Sequence, residues 1–243
     1  MDKMSSIEHL TELRKRLISV LVVLIIAAGI GFSYSGVIIK YLQQQVPSYI
    51  ELNVFSPSTA MVLYMKVAFL FGFILTLPFL IYQIWKFVSP ALHSIEKKLV
   101  LRYIPIAPLL MVVGLLFGYY WVFPLMLHFM SVFSAKLGVT EVYGINEYFQ
   151  NMFNIVVPFG VLFELPLMVV ILTHLRILNP YRLKKMRKFA YFGFCVISIT
   201  ITPPDFISDI MICVPLIALY EISYLLSKLV YRKQMNAEAL AEA

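Results

Sequence analysis

The chain has 243 residues, of which 61% are hydrophobic and only 14% charged, and it carries a formal net charge of +7. A soluble domain has about a quarter of its residues charged, so this much apolar surface needs lipid as part of its solvent and excludes an ordinary water-soluble fold. The positive balance does not indicate nucleic acid, because the basic residues stand beside apolar runs, where they anchor and orient a membrane protein.

Ser5 and Glu8 fit a capping box, which predicts a helix from Ser6. Ile7, Leu10, Leu13 and Leu17 then recur near one face at helical spacing, so the segment lies at the membrane surface and runs into a first span. Glu12 and Arg16 are spaced as an i,i+4 pair, which at an exposed site contributes about 0.3–0.5 kcal/mol. The first span is expected over 17–39. It is too long for a signal-peptide core and has no small-residue cleavage site behind it, so it is expected to stay in place.

The loop from Lys40 to Lys66 is long enough for structure of its own. Ser56-Pro57 reads as a helix cap followed by a first-turn proline, from which a short helix leads into a second span over 67–86. Ser89-Pro90 ends that span. Ser94 is placed to cap the next helix, with Glu96 in its first turn against the positive end of the dipole.

A third span is expected over 99–133. Its uncharged run, Tyr103 to Ala135, would measure about 50 Å as one helix. The hydrocarbon core is about 30 Å thick, so this helix tilts or protrudes. Pro124 falls late in it and no turn signal divides it, which predicts one long, bent helix. The fourth span, 148–175, contains Glu164 near its middle. A charge there costs several kcal/mol, of order 3 on insertion scales, unless it faces a cavity or partner. Pro158 and Pro166 bracket Glu164, so the helix is expected to bend and free carbonyls there. Gln150 and Asn154 share its half of the helical wheel and suggest a polar stripe.

Two short spans, 189–203 and 209–227, close the chain as a hairpin around Thr202-Pro203-Pro204-Asp205. Asp205 is suited to satisfying backbone groups at that turn. Glu221 is read as a hydrated residue near Lys228, and the segment after Gln234 as a frayed tail. Cys195 and Cys213 fall in apolar runs and read as small fillers. Of the 20 Lys and Arg residues, only Lys40, Lys66 and Lys136 fall on one side of these six spans. The rich side is cytoplasmic by the positive-inside rule, which puts both ends inside. His9, His93, His128 and His174 show no ligand spacing, and no phosphate loop or hydrolase set is visible. The expectation is a single all-α membrane domain with no metal, no cofactor and no enzymatic activity.

The motifs in chain order resemble the TatC family, the multispanning receptor of the twin-arginine protein translocase. The matching pieces are His9-Leu10-Thr11-Glu12-Leu13-Arg14-Lys15-Arg16, Tyr82-Gln83-Ile84-Trp85 with Phe87, Pro90-Ala91-Leu92, and Glu96-Lys97-Lys98. Phe159-Gly160-Val161-Leu162-Phe163-Glu164-Leu165-Pro166 and Thr202-Pro203-Pro204-Asp205 complete the set. The resemblance implies that Glu12, Arg14, Phe87 and Glu96 bind the signal peptide, since carboxylates accept from planar guanidinium groups bidentately. It implies a role for Glu164 in docking partner helices and distorting the bilayer, and an outer-turn position for Asp205. It further implies TatA- and TatB-type single-span partners, oligomers with them, the inner membrane, and export driven by the proton gradient. Two alternatives remain from the residues themselves: a proton-coupled small-solute transporter using Glu164, and a membrane scaffold.

Overall fold

The structure, a computed structural model, describes residues 6–47, 50–88, 103, 105–138, 142–201 and 206–241. It is almost wholly helical, and the chain packs as two compact units.

The first unit is Met1–Lys97 with Glu141–Phe149. Helix α1 spans Ser6–Gln44 without a break, so the predicted surface segment and first span are one rod. Helix α2 spans Thr59–Val88 and returns antiparallel to it. Small residues set their spacing. A Cβ built on Gly72 would stand 2.6 Å from the Ala28 backbone nitrogen, and one on Gly31 would stand 2.7 Å from the Ala68 carbonyl oxygen. Lipid tails are as apolar as any side chain, so helices in a membrane associate by such close backbone approach. Thr76 is buried here, and its hydroxyl donates back to the Gly72 carbonyl at 2.7 Å. Ile25 and Val37, by contrast, are about 70% exposed, as lipid-facing positions should be.

Between these helices, strand β1, Glu51–Asn53, pairs in parallel with strand β2, Val142–Gly144, in the register Leu52 opposite Tyr143. The spacing offered no strand at either place. Lys66 adds a bond to Asn146 at 2.9 Å across the same pairing. Ser56-Pro57-Ser58 forms a turn, and the helical lead expected from there starts at Thr59 and runs unbroken into the span as part of α2.

The second unit is Lys98–Thr140 with Gln150–Ala243. Helix α3, Ile106–Phe117, continues through a π-helical turn, Gly118–Val122, into helix α4, Phe123–Leu137. This is the single long rod expected, and Pro124 explains its irregularity. A proline has no N–H and its ring meets the carbonyl four residues back, so one wider turn relieves the clash. The rod ends at Gly138, whose φ of 68° suits the left-handed cap that glycine takes at least cost.

Helix α5, Ile145–Leu162, and helix α6, Leu165–His174, form the fourth membrane-length stretch. Pro158 lies inside α5 without interrupting it, whereas the chain breaks at Phe163-Glu164, two residues before Pro166. Gly114 and Gly118 of the third stretch let α5 close in: a Cβ on Gly114 would lie 2.6 Å from the Phe159 carbonyl oxygen. Phe117 stacks against both Phe159 and Phe163 at ring separations of 5.7 and 5.4 Å.

Helix α7, Pro180–Ile201, opens with the Asn179 side chain accepting from the Tyr181 N–H, and with Pro180 in the first turn. Helix α8 runs over Phe206–Ala241. The segment after Gln234, expected to fray, therefore stays helical as far as Ala241. Thr173 of α6 and Ser227 of α8 share a buried hydrogen bond of 2.7 Å, and Gln234 donates to the His174 carbonyl that ends α6.

Five described stretches are long and apolar enough to cross a membrane: Thr11–Gln44, Thr59–Ile84, Ile106–Leu137, Ile145–His174 and Ile207–Asn236. Helix α7 falls short because Arg182, Lys184, Lys185, Arg187 and Lys188 occupy its first turns, leaving apolar length only beyond them. Six spans, with a short fifth, are consistent with this pattern.

Candidate functional site

The basic ends of α1 and α2 form a charged corner built around Arg16. Its Nε donates to Glu12 Oε1 at 3.1 Å, and its Nη2 closes an ion pair on the same oxygen. Nη1 donates to Gln83 Oε1 at 3.2 Å, and Nη2 also reaches the Lys86 carbonyl at 3.3 Å. Lys86 lies in the last turn of α2, where carbonyls lack helical partners and the dipole is negative. A guanidinium is the one side chain whose rigid fork can serve a carboxylate, an amide and a carbonyl together. The Arg16 side chain is 13% exposed and that of Glu12 25%. The pair is thus partly sheltered, unlike the exposed pair its spacing suggested.

Glu12 and Phe87 therefore belong to one corner. Phe87 is half-buried and follows the residue whose carbonyl Arg16 holds. Arg14 is exposed on α1, about 200° round the helix from Glu12. Glu96 and Asp205 lie outside the described residues, as do Ser5, Ser94 and the Thr202–Asp205 turn. No local pattern announces the bridge from Arg16 to α2. The only hint was that Gln83 belongs to a family motif, and the bridge itself requires the fold.

Glu164 sits at the break between α5 and α6, half-buried, with its Oε1 enclosed and lacking a hydrogen-bond partner. The backbone there is irregular. The Glu164 N–H bonds the Val161 carbonyl at 3.1 Å, a tightened turn, while the Glu164 carbonyl accepts from Met168 at 2.9 Å. Toward the other end of α5, Gln150 donates to Asn154 at 2.7 Å. Asn154 lines an open cavity of about 430 Å³ with Phe153, Val157, Pro158, Thr200 and Ile201. Polar side chains thus do enter the apolar stretch on α5.

Glu221, read as a hydrated residue near Lys228, meets partners on the neighbouring helix. It accepts from Arg187 Nη2 at 2.6 Å and from the Tyr191 hydroxyl at 2.5 Å, both on α7. Arg187 also lies 4.5 Å over the Tyr224 ring. This cluster ties α7 to α8. Among the described residues no group of His, Cys, Asp and Glu is arranged to hold a metal ion.

Comparison with known proteins gives this geometry its context. The family model described as Sec-independent protein translocase protein, TatC, matches residues 8–215. The chain belongs to the TatC family. It is similar to the translocase protein TatCy of Bacillus subtilis strain 168, at 44% identity over 98% of this chain and 94% of that one. It is also similar to TatC of Escherichia coli K12, at 33% identity over 98% and 93% of the two chains. A crystal structure of the twin-arginine translocase receptor TatC superposes with a TM-score of 0.82, at 33% identity, covering 92% of this chain and 99% of that one. This TatC-family chain is accordingly a multi-pass membrane component of the Sec-independent protein translocase, a family of translocation proteins rather than of catalysts.

Proposed function

We propose that this TatC-family chain is the receptor for twin-arginine signal peptides and the core on which the translocase assembles to export folded proteins. The peptide meets it on the cytoplasmic face, where both chain ends lie. Glu12 and Glu96 accept the two guanidinium groups, and Phe87 takes the neighbouring hydrophobic residue. Arg14, exposed on the other face of α1, meets a more distant part of the peptide through its donors.

The observation that carries this reading is the anchoring of Glu12. A carboxylate on a long helix would ordinarily sample several rotamers, each costing entropy to fix on binding. Arg16, braced on Gln83 and the Lys86 carbonyl, holds Glu12 in one place before any ligand arrives. Preorganised acceptors of this kind suit planar cations. Two relations support the reading: the structural likeness to a protein described as a twin-arginine translocase receptor, and the match of the family over most of the chain.

Glu164 serves a later step. Its enclosed, unpartnered oxygen and the broken helix around it suit docking of a polar group on a single-span partner of the TatA or TatB type. Such partners build the oligomer, and the proton gradient drives export. The chain itself catalyses no covalent step.

Photo-crosslinking of a twin-arginine peptide to the full-length protein in membranes tests the receptor. Glu12→Gln and Glu96→Gln are each expected to lower crosslinking roughly tenfold, the loss of about 1.4 kcal/mol from one charge-assisted pair. A peptide with two lysines should crosslink weakly to the parent. Equal crosslinking of both variants and the parent would show that the carboxylates are not the acceptors.

A further inference from the structure

The hairpin of α7 and α8 holds the chain's two cysteines, Cys195 and Cys213. They are 18 positions apart in sequence, yet their sulfurs stand 3.4 Å apart. Contacts on either side fix that register. Toward the C-terminal end of α7, the Ser198 hydroxyl donates to the Asp209 carbonyl at 2.5 Å. In the other direction, the Tyr191 and Tyr220 rings meet edge to face at 6.0 Å, and Glu221 receives Tyr191 and Arg187. Two packed helices, pinned above and below, therefore present the thiols to each other. Cys195 is exposed at the hairpin surface and Cys213 is buried behind it.

As separate residues in apolar runs, these cysteines read as inert fillers. As a facing pair they have a chemistry. Sulfurs in a disulfide stand about 2.0 Å apart, and small side-chain rotations bring two sulfurs already in contact to that distance. The exposed member is open to an oxidant, and the buried one is placed to resolve the intermediate.

We infer that Cys195 and Cys213 form a redox-sensitive pair that closes to a disulfide within the membrane and fastens α7 to α8. The oxidant is a membrane-permeant two-electron acceptor of the quinone or diazene class. The Cys195 thiol loses its proton, and its sulfur adds to the acceptor. The Cys213 sulfur then attacks Cys195 Sγ, forming the S–S bond and expelling the reduced acceptor. Two thiols and one quinone thus give one disulfide and one quinol, with both protons and both electrons carried off by the acceptor. Oxidised, the two helices can no longer slide or part at this level. Reduced, the ion pair, hydrogen bonds and ring contacts between them hold them without a covalent cross-link. This inference rests on side-chain placement in the hairpin and is independent of the signal-peptide reading.

The test uses the full-length protein in lipid vesicles, treated with the diazene diamide or left reduced. Each sample is then denatured, alkylated with N-ethylmaleimide and weighed intact by mass spectrometry. The reduced protein should carry two maleimides. The oxidised protein should carry none, remain a monomer, and regain both after reduction with a phosphine. Cys195→Ser and Cys213→Ser should each keep their single maleimide through the same oxidation. One or two maleimides on the oxidised parent, or a disulfide-linked dimer in place of the closed monomer, would overturn the inference.

Discussion

Arg16 acts through its shape as much as through its charge. Its three nitrogens serve Glu12, Gln83 and the carbonyl of Lys86, so they tie a carboxylate on one helix to the end of another. A lysine would supply the same charge from a single nitrogen on a flexible stem. Arg16→Lys is therefore expected to leave the protein folded and inserted while loosening Glu12. Affinity for a twin-arginine peptide in lipid nanodiscs should fall by about 1–2 kcal/mol, a loss of 5- to 30-fold. Gln83→Leu removes one brace and should give a smaller loss in the same direction. Unchanged affinity in Arg16→Lys, read by calorimetry or fluorescence anisotropy, would mean that Glu12 needs no orientation. The spacing of Glu12 and Arg16 was visible in the sequence, but their shelter was not. Whether an i,i+4 pair lies in water or against a neighbour depends on α2, which enters the corner from nearly 70 residues along the chain.

At the scale of elements, glycine placement separates contacts that matter from those that do not. Gly29 and Gly31 are two residues apart on α1, and only Gly31 meets another backbone: nothing stands within 4 Å of a Cβ on Gly29. Gly29→Ala should thus be neutral, or stabilise α1 by up to about 1 kcal/mol through helix propensity. Gly31→Ala and Gly72→Ala should each destabilise the α1–α2 pair by about 1–3 kcal/mol, because neither backbone can yield cheaply. Thermal unfolding of the three variants in detergent gives the comparison, and a Gly29 variant as unstable as Gly72→Ala would contradict the packing. The helices themselves were legible, because charge-free runs and proline positions report local preferences that lipid enforces. The long rod of α3 and α4 and the break beside Pro166 were readable on the same grounds. The parallel pairing of β1 with β2 was not, since each strand is only three residues long and its partner lies far along the chain. The pairing of Glu221 with Arg187 was missed for a similar reason. Periodicity points to neighbours on one helix, here Lys228, and says nothing of the helix packed alongside.

For the molecule as a whole, Glu164 distinguishes stability from function. A residue that holds a fold together lowers stability when removed. Glu164 keeps an enclosed oxygen with no hydrogen-bond partner, so the isolated chain bears a desolvation cost and receives no bond in return. Such a cost persists where something outside the chain supplies the missing partner. Glu164→Ala should therefore leave the thermal stability of the purified protein unchanged or raise it slightly. The same substitution should spare peptide binding, because the charged corner of α1 and α2 is made by other residues. Export of a folded cargo from cells should nevertheless fall by roughly tenfold or more, as expected when about 1.4 kcal/mol of partner affinity is lost. Glu164→Gln, which keeps a hydrogen-bonding group of the same size, should recover part of that export. The three readouts must separate for the assignment to stand. A variant that is less stable and also exports poorly would mark Glu164 as structural. A variant that exports normally would leave its oxygen with no partner to await, and would remove the reason for placing assembly at this break in the helix.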